Sequence, residues 1–500
     1  MSPNRWRRGA RFTGSVALLA GLLVAAGLWV VRTRPYDPAQ HQAPAVAVAA
    51  RDFPVYRDAP LVLQYHDISS ATGSPSTITP HAFAGHLDTL RKAGFHSVRL
   101  ADVEAMMSGS PVRLPPRPVL LTFDDGLASN WLDADPVLQR YGFTAVAFLV
   151  TGAVTDPHRP SSHLSTEQVR RMAASGRWEF GGHTDDLHHL AAVRGGTQAP
   201  ALINRLAGDH EETLAQWEAR VRADLLRSQR FFQDVLGRPV RAFAFPYGAA
   251  DHPSNDPAIP GRLPRLLGDA GFRFGFTGED RNRGEQQPVT PDADPYRLPR
   301  VTVTGDLDPA GLLAALRKAA PDPITADLTT LGWSGVDVRC TVRRTAGHAP
   351  ALRVSSSGYG RCTAPVNPVQ WTDYRLTTGV AGGDRAATAF IGVRAGRTTG
   401  GRDRAEVVLG EAVVRIREQV GARVEVLAAR RLPPGGDRRV DITVKGDRIT
   451  VRVDRGRPMT ARLAPALAAG AVDFGIATHG ARTLDYLGPR LVDLRSPPVT

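Results

Sequence analysis

The sequence predicts an α/β domain built as a distorted (β/α) barrel, followed by an all-β, jelly-roll-like sandwich and preceded by one transmembrane helix. Three observations carry this. Apolar strand-like runs alternate with helix-like runs from Leu61 to Ala319, the pattern of a parallel sheet with helices outside it. Beyond Pro321-Asp322-Pro323 the long helical patterns stop, and short alternating runs with turn residues between them take over, as in a sandwich. Phe12 to Val31 is a stretch of twenty residues without a charge, long enough to cross a bilayer as a helix.

Four arginines, Arg5, Arg7, Arg8 and Arg11, precede the apolar stretch, and Arg32 and Arg34 follow it. The positive-inside bias makes residues 1–11 a cytoplasmic tail and 12–31 a signal anchor. The protein is then a single-pass protein of the cell membrane with its bulk on the extracytoplasmic side. Cleavage after Ala25-Ala26-Gly27 is the alternative and would leave a secreted protein, but Leu28-Trp29-Val30-Val31 continues the apolar run past that point. Residues 32–58 hold Pro35, Pro38, Pro44 and Pro54 and read as a linker. The flanking arginines supply six of the charges behind the net +13. The rest are scattered, with no basic run and no aromatic-basic interleaving, which argues against nucleic acid as a partner.

Within residues 59–320 the strands read as Leu61–Tyr65, Pro118–Phe123, Thr144–Val150, Trp178–Gly182, Val240–Phe245, Phe274–Phe276 and Arg300–Val303. The helices read as His81–Ala93, Asn130–Tyr141, Ser165–Ala174, Leu214–Leu236, Pro264–Ala270 and Pro309–Ala319. Ser-Thr-Glu opens the third helix and Gly237 closes the fourth. About six or seven such units favour barrel-like closure, which puts the chemistry at the C-terminal ends of the strands. Residues 326–500 form the sandwich, with strands at 374–376, 389–393, 405–409, 423–427, 440–444 and 449–453. It is a candidate carbohydrate-binding module. Trp333, Trp371 and Tyr374 could be sugar-stacking platforms, although core positions are the commoner place for such residues. Cys340 and Cys362 are the two cysteines, and outside the cytoplasm they pair as a disulfide.

Three strand ends carry chemistry. Thr122-Phe123-Asp124-Asp125-Gly126 delivers two adjacent carboxylates, an arrangement that is costly unless an ion or a proton relay uses them. A surface Asp-Asp-Gly turn is the plain alternative. His183-Thr184-Asp185-Asp186-Leu187-His188 puts two imidazoles in one short loop. With one carboxylate they make a three-ligand set with an open position, as hydrolytic Zn²⁺ requires. His189 could replace His188. In Phe245-Pro246-Tyr247-Gly248 the proline stops the strand and turns Tyr247 and its backbone N–H toward the same place.

In order and spacing these three motifs resemble the polysaccharide deacetylase family (carbohydrate esterase family 4), with Leu63-Gln64-Tyr65-His66-Asp67-Ile68 similar to that family's first strand. The likeness covers about Leu61 to Ala319. The four-residue gap between His183 and His188 and the long segment from His189 to Leu214 look most like the poly-β-1,6-N-acetylglucosamine deacetylases. The resemblance implies hydrolysis of N-acetyl groups on an N-acetylglucosamine polysaccharide. It implies a single divalent metal, Zn first with Co, Ni or Mn allowed, held by Asp125, His183 and His188. It makes Asp124 the general base and assigns oxyanion support to Pro246 and Tyr247. Chitin, peptidoglycan and O-acetylated glycans stay open as substrates, as does a polysaccharide-binding protein with reduced catalysis. Two positions depart from the family pattern. Ala244 stands where an arginine is common, and Arg300–Asp308 lacks the histidine that supplies the general acid. His66 is the expected substitute, with His189 and a second role for His183 as rivals.

Overall fold

The computed structural model describes residues 53–495 except 71–73, 157–160, 251–253, 279–286, 292, 383–386, 397–402 and 434–435. The anchor Phe12–Val31 and most of the linker lie outside the described residues. Among those described, no helix is long and apolar enough to cross a membrane. The chain divides into two units at Ala319/Ala320.

The first unit is organised by continuous apolar runs. Leu61–Tyr65, Pro118–Phe123 and Ala145–Leu149 are buried at every position, as strands of a parallel sheet covered on both faces must be. The parallel sheet runs in the order Phe274–Phe276, Ala242–Ala244, Trp178–Gly182, Ala145–Leu149, Pro118–Phe123, Leu61–Tyr65, Val301–Thr302, with His96–Ser97 beside the start of Pro118–Phe123. It is a half-barrel. Its two end strands are not laddered together. A single parallel bridge, Phe276 to Leu298, reaches across beside one of them, so the expected closure is only partial. Register aligns the strand exits: Gln64 pairs with both Thr122 and Thr302, and Phe243 with Gly182. Residues just beyond these positions therefore converge at one end.

Most helices fall where the sequence places them. Leu214–Leu236 is capped by Thr213 and Gln216 in a reciprocal box and ends at Gly237 with φ +73°. Two differences have local causes. The helix expected from Pro264 begins at Ile259, because Pro260 occupies its first turn and Pro264 is tolerated inside. Leu100–Met107, a helix the periodicity did not single out, is held by a bond from Arg99 N–H to Asp102.

The second unit is a two-sheet antiparallel sandwich. One sheet has seven strands, Arg339–Arg343, Ala351–Ser356, Arg482–Asp493, Tyr374–Ala381, Arg438–Lys445, Arg448–Val453 and Met459–Arg462. The other has six, Tyr359–Cys362, Ala471–Ala477, Thr388–Ala395, Arg404–Leu409, Val413–Val420 and Arg423–Arg431. The Cys340–Cys362 disulfide joins an edge strand of one sheet to an edge strand of the other. Trp371 and Tyr374 are buried in the core between them, and the indole N–H of half-buried Trp333 donates to Leu328 O at 2.8 Å. These aromatics hold the sandwich together instead of facing a glycan.

Candidate active site and metal centre

The Asp124-Asp125 pair is separated by backbone geometry. Asp124 N–H still donates to Tyr65 O at 3.0 Å, in line with the strand. Asp125 and Gly126 then adopt φ +71° and +72°, a left-handed excursion that costs a non-glycine residue about 1–2 kcal/mol. A Cβ on Gly126 would lie 2.9 Å from Leu149 Cδ2, so glycine is required there. The turn sends one carboxylate inward and the other outward. Asp124 is 1 % exposed, whereas the Asp125 side chain is 26 % exposed.

Asp124 is gripped on both oxygens. Arg300 Nη1 donates to Oδ1 at 2.7 Å, Arg300 Nη2 to Oδ2 at 2.8 Å, and Gln64 Nε2 to Oδ2 at 2.8 Å. Thr302 Oγ1 donates to Gln64 Oε1 at 2.8 Å, orienting that amide, and Arg300 Nε donates to Thr277 O at 2.8 Å. Burial alone would raise the Asp124 carboxyl, but the charge and hydrogen bonds of Arg300, with the charges of His183 and His66, together outweigh it and hold the group well below the usual carboxylate range.

Asp125 faces the histidine loop. Its Oδ1 lies 3.5 Å from His183 Nε2 and 3.3 Å from His188 Nε2, and one donor atom from each of the three residues lies within 4.8 Å of the others. His183 Nδ1 is 2.7 Å from Ala244 O. A carbonyl only accepts, so Nδ1 carries the proton and Nε2 keeps a free lone pair, the tautomer a metal ligand needs. The donor set therefore fits a divalent ion. Burial lowers the His183 pKa and the two aspartates raise it, with a net rise; burial and the His183 charge push His188 down to about 4. His189 is exposed and bonds Asp186 O through Nδ1. It stands apart from the cluster, so His188 is the second imidazole.

Residues 112–258, which span all three motifs, match the family model described as polysaccharide deacetylase. Over these residues the chain is similar to polysaccharide deacetylases. It is 30 % identical over 195 residues to the poly-beta-1,6-N-acetyl-D-glucosamine N-deacetylase of Staphylococcus epidermidis and 26 % identical over 195 residues to that of Staphylococcus aureus. Each match covers 39 % of this chain and 57 % of the relative, so the chain spans little more than half the length of these curated relatives. The solved structure of IcaB from Ammonifex degensii is 29 % identical with a TM-score of 0.41, covering 52 % of this chain and 97 % of that one.

The remaining motif forms the wall beside His188. Pro246 is buried, while Tyr247 has φ +59° and is 51 % exposed. Its ring centroid is 5.0 Å from that of His188, tilted by 32°. His66 lies at the same end, near enough for its charge to lower both Asp124 and Asp125, and its Nδ1 is buried without a hydrogen-bond partner. His163, which the motifs did not single out, bridges Leu127 beside the Asp125 turn. Burial lowers its pKa and the Asp125 charge partly restores it. Arg300 is the main functional residue that the motifs do not reveal. Ala244 carries no guanidinium, and the one that grips Asp124 comes from the entry to the last strand of the sheet. The available signal was an arginine leading directly into the apolar Val301–Val303 run.

Proposed function

We propose that this protein is a metal-dependent hydrolase that removes N-acetyl groups from an N-acetylglucosamine polysaccharide, with a poly-β-1,6-N-acetylglucosamine-like polymer as the favoured substrate. The observation that carries this reading is the union, at one sheet end, of the Asp125–His183–His188 donor set with an ionised, arginine-held Asp124. The named activity of the curated relatives supports the choice of glycan. The domain works on the extracytoplasmic side of the cell membrane, anchored by Phe12–Val31.

Asp125, His183 and His188 hold the ion, Zn first, with Co, Ni or Mn compatible with the same donors. When bound, it polarises the acetamide carbonyl and makes water acidic enough to attack near neutral pH. Asp124 accepts the proton of the attacking water. Arg300 keeps it ionised and aimed, at the cost of some basicity. The Pro246-Tyr247 turn offers the Tyr247 N–H to the oxyanion that develops. His66 hands a proton to the departing amine, and its unpartnered Nδ1 favours it over exposed His189.

The test is acetate release from β-1,6-linked N-acetylglucosamine oligomers by the full-length protein with Zn²⁺. Asp124→Asn should abolish release, and a chelator should do so reversibly. Absence of release from β-1,6, β-1,4 and peptidoglycan substrates would overturn the reading. Release from acetyl-xylan alone would move it to an esterase.

A further inference from the structure

The loop that carries His183 and His188 has no regular structure of its own, so its path must be imposed from outside. His183 is held by its strand: its N–H donates to Leu149 O at 2.8 Å. His188, five positions on, has no such support, and its placement depends on how residues 184–186 are routed. Thr184 turns the chain with φ +73°. Immediately after it, two successive backbone N–H groups point at one carboxylate. Asp185 N–H donates to Asp224 Oδ1 at 2.9 Å and Asp186 N–H to Asp224 Oδ2 at 2.8 Å.

Asp224 is an anomaly in its own helix. The buried stripe of Leu214–Leu236 comprises Trp217, Val221, Asp224, Leu225, Ser228, Gln229 and Phe232, and the Asp224 side chain is 0 % exposed. An ionised carboxylate in such a stripe is expensive unless its lone pairs are used, and here they are spent on the metal loop. Burial pushes its pKa up while the two loop N–H groups pull it back. Further ties converge on Asp185. Thr151 Oγ1 donates to Oδ1 at 2.8 Å, Arg227 Nε donates to Oδ2 at 2.7 Å, and Gly152 N–H donates to the carbonyl at 2.9 Å. A Cβ on Gly152 would sit 2.6 Å from that carbonyl oxygen.

We propose that Asp224 is a positioning residue for the metal centre: by clamping the backbone of Asp185 and Asp186 it sets the separation of His183 from His188 and thereby the affinity for the divalent ion. This rests on the metal reading of the preceding subsection. It touches neither ion nor substrate. The competing account is that Asp224 merely docks the long helix, in which case its loss would weaken the fold and leave ion binding intact.

The experiment is metal affinity of the full-length protein, read by competition with a chromophoric chelator for Zn²⁺ and by the visible spectrum of the Co²⁺ form. Asp224→Asn keeps the shape but sets an NH₂ group against one of the two loop donors. It should weaken Zn²⁺ binding by about 10–100-fold, the range typical of outer-shell ligand supports, and alter the Co²⁺ spectrum, with Asp224→Glu recovering part of both. Arg227, 44 % exposed, pairs with Asp185 and also with Asp224 Oδ2 at 3.3 Å, and Arg227→Gln, which loosens both ties, should weaken binding several-fold. Unchanged affinity and spectrum in folded Asp224→Asn would overturn the proposal. If that variant does not fold, unchanged values in Arg227→Gln would overturn it. A wild-type protein that binds no divalent ion would overturn both this inference and the metal reading beneath it.

Discussion

Arg300 and Asp124 form a fully buried, bidentate ion pair although 176 positions separate them in the chain. Each guanidinium nitrogen of the pair meets its own carboxylate oxygen, the strongest geometry open to these groups. Removing one partner strands the other charge in the interior. Arg300→Gln should cost about 3–5 kcal/mol of stability in denaturant unfolding. It should also release the Asp124 pKa upward, so the acid limb of the acetate-release pH profile should move to higher pH.

The ligand assignment separates adjacent histidines. His188→Ala should remove most of the bound Zn²⁺, and His183→Ala and Asp125→Ala likewise, because each supplies one of the three clustered donors. His189→Ala should leave metal content unchanged, since its ring is engaged with Asp186 O. Elemental analysis of purified variants decides this, and equal losses at His188 and His189 would contradict it.

Tyr247 depends on Gly248. With φ +68°, Gly248 sits in the left-handed region, and a Cβ there would lie 2.6 Å from the backbone N and Cα of Gly278. Gly248→Ala adds roughly 1–2 kcal/mol of backbone strain to that clash. The Tyr247 turn should shift, lowering kcat for acetate release while metal content stays at the wild-type level.

His86 should make the first unit acid-sensitive. It is fully buried, with Nε2 2.8 Å from Leu307 O, and burial lowers its pKa from 6.5 to about 4. The unfolded chain therefore binds a proton that the folded chain refuses. Stability is intact above about pH 6.5 and falls as pH drops toward 4, by up to about 3 kcal/mol. Thermal melts between pH 7 and 5 should show this decline, and His86→Gln should flatten it.

The disulfide Cys340–Cys362 closes a loop with a sequence separation of 22. Reduction, or a double Cys→Ala change, should destabilise the sandwich by about 3 kcal/mol through the freed unfolded chain. Zn²⁺ affinity of the first unit should not change. A calorimetric scan under reducing and oxidising conditions, paired with the chelator competition, measures both.

The parts of the site legible in sequence were those written in consecutive residues. Pro118–Phe123 announced a buried strand by its apolar run, and Asp124-Asp125-Gly126 announced its end. Pro246 marked a turn because it cannot extend a ladder. The barrel was legible only as alternation. Its incomplete closure at Leu298 depends on a single bridge that no periodicity encodes. Several sandwich strands were missed; Arg339–Arg343 alternates exposed Arg339, Thr341 and Arg343 with half-buried Cys340 and Val342, but five residues carrying two charges make too short and polar a run to stand out.

By itself the sequence determined which groups could bind an ion and which strand ends would present them, because strand endings and turns follow from φ/ψ preferences and apolar period over a few residues. Only the tertiary structure decided that Asp124 turns inward and Asp125 outward, that His188 and not His189 joins the cluster, and that Arg300 pairs with Asp124. It also decided that Asp224, on a distant helix, accepts the metal loop's backbone. These relationships arise from sheet register and burial between segments far apart in the chain. Side chains that meet this way leave no spacing for a one-dimensional reading to detect.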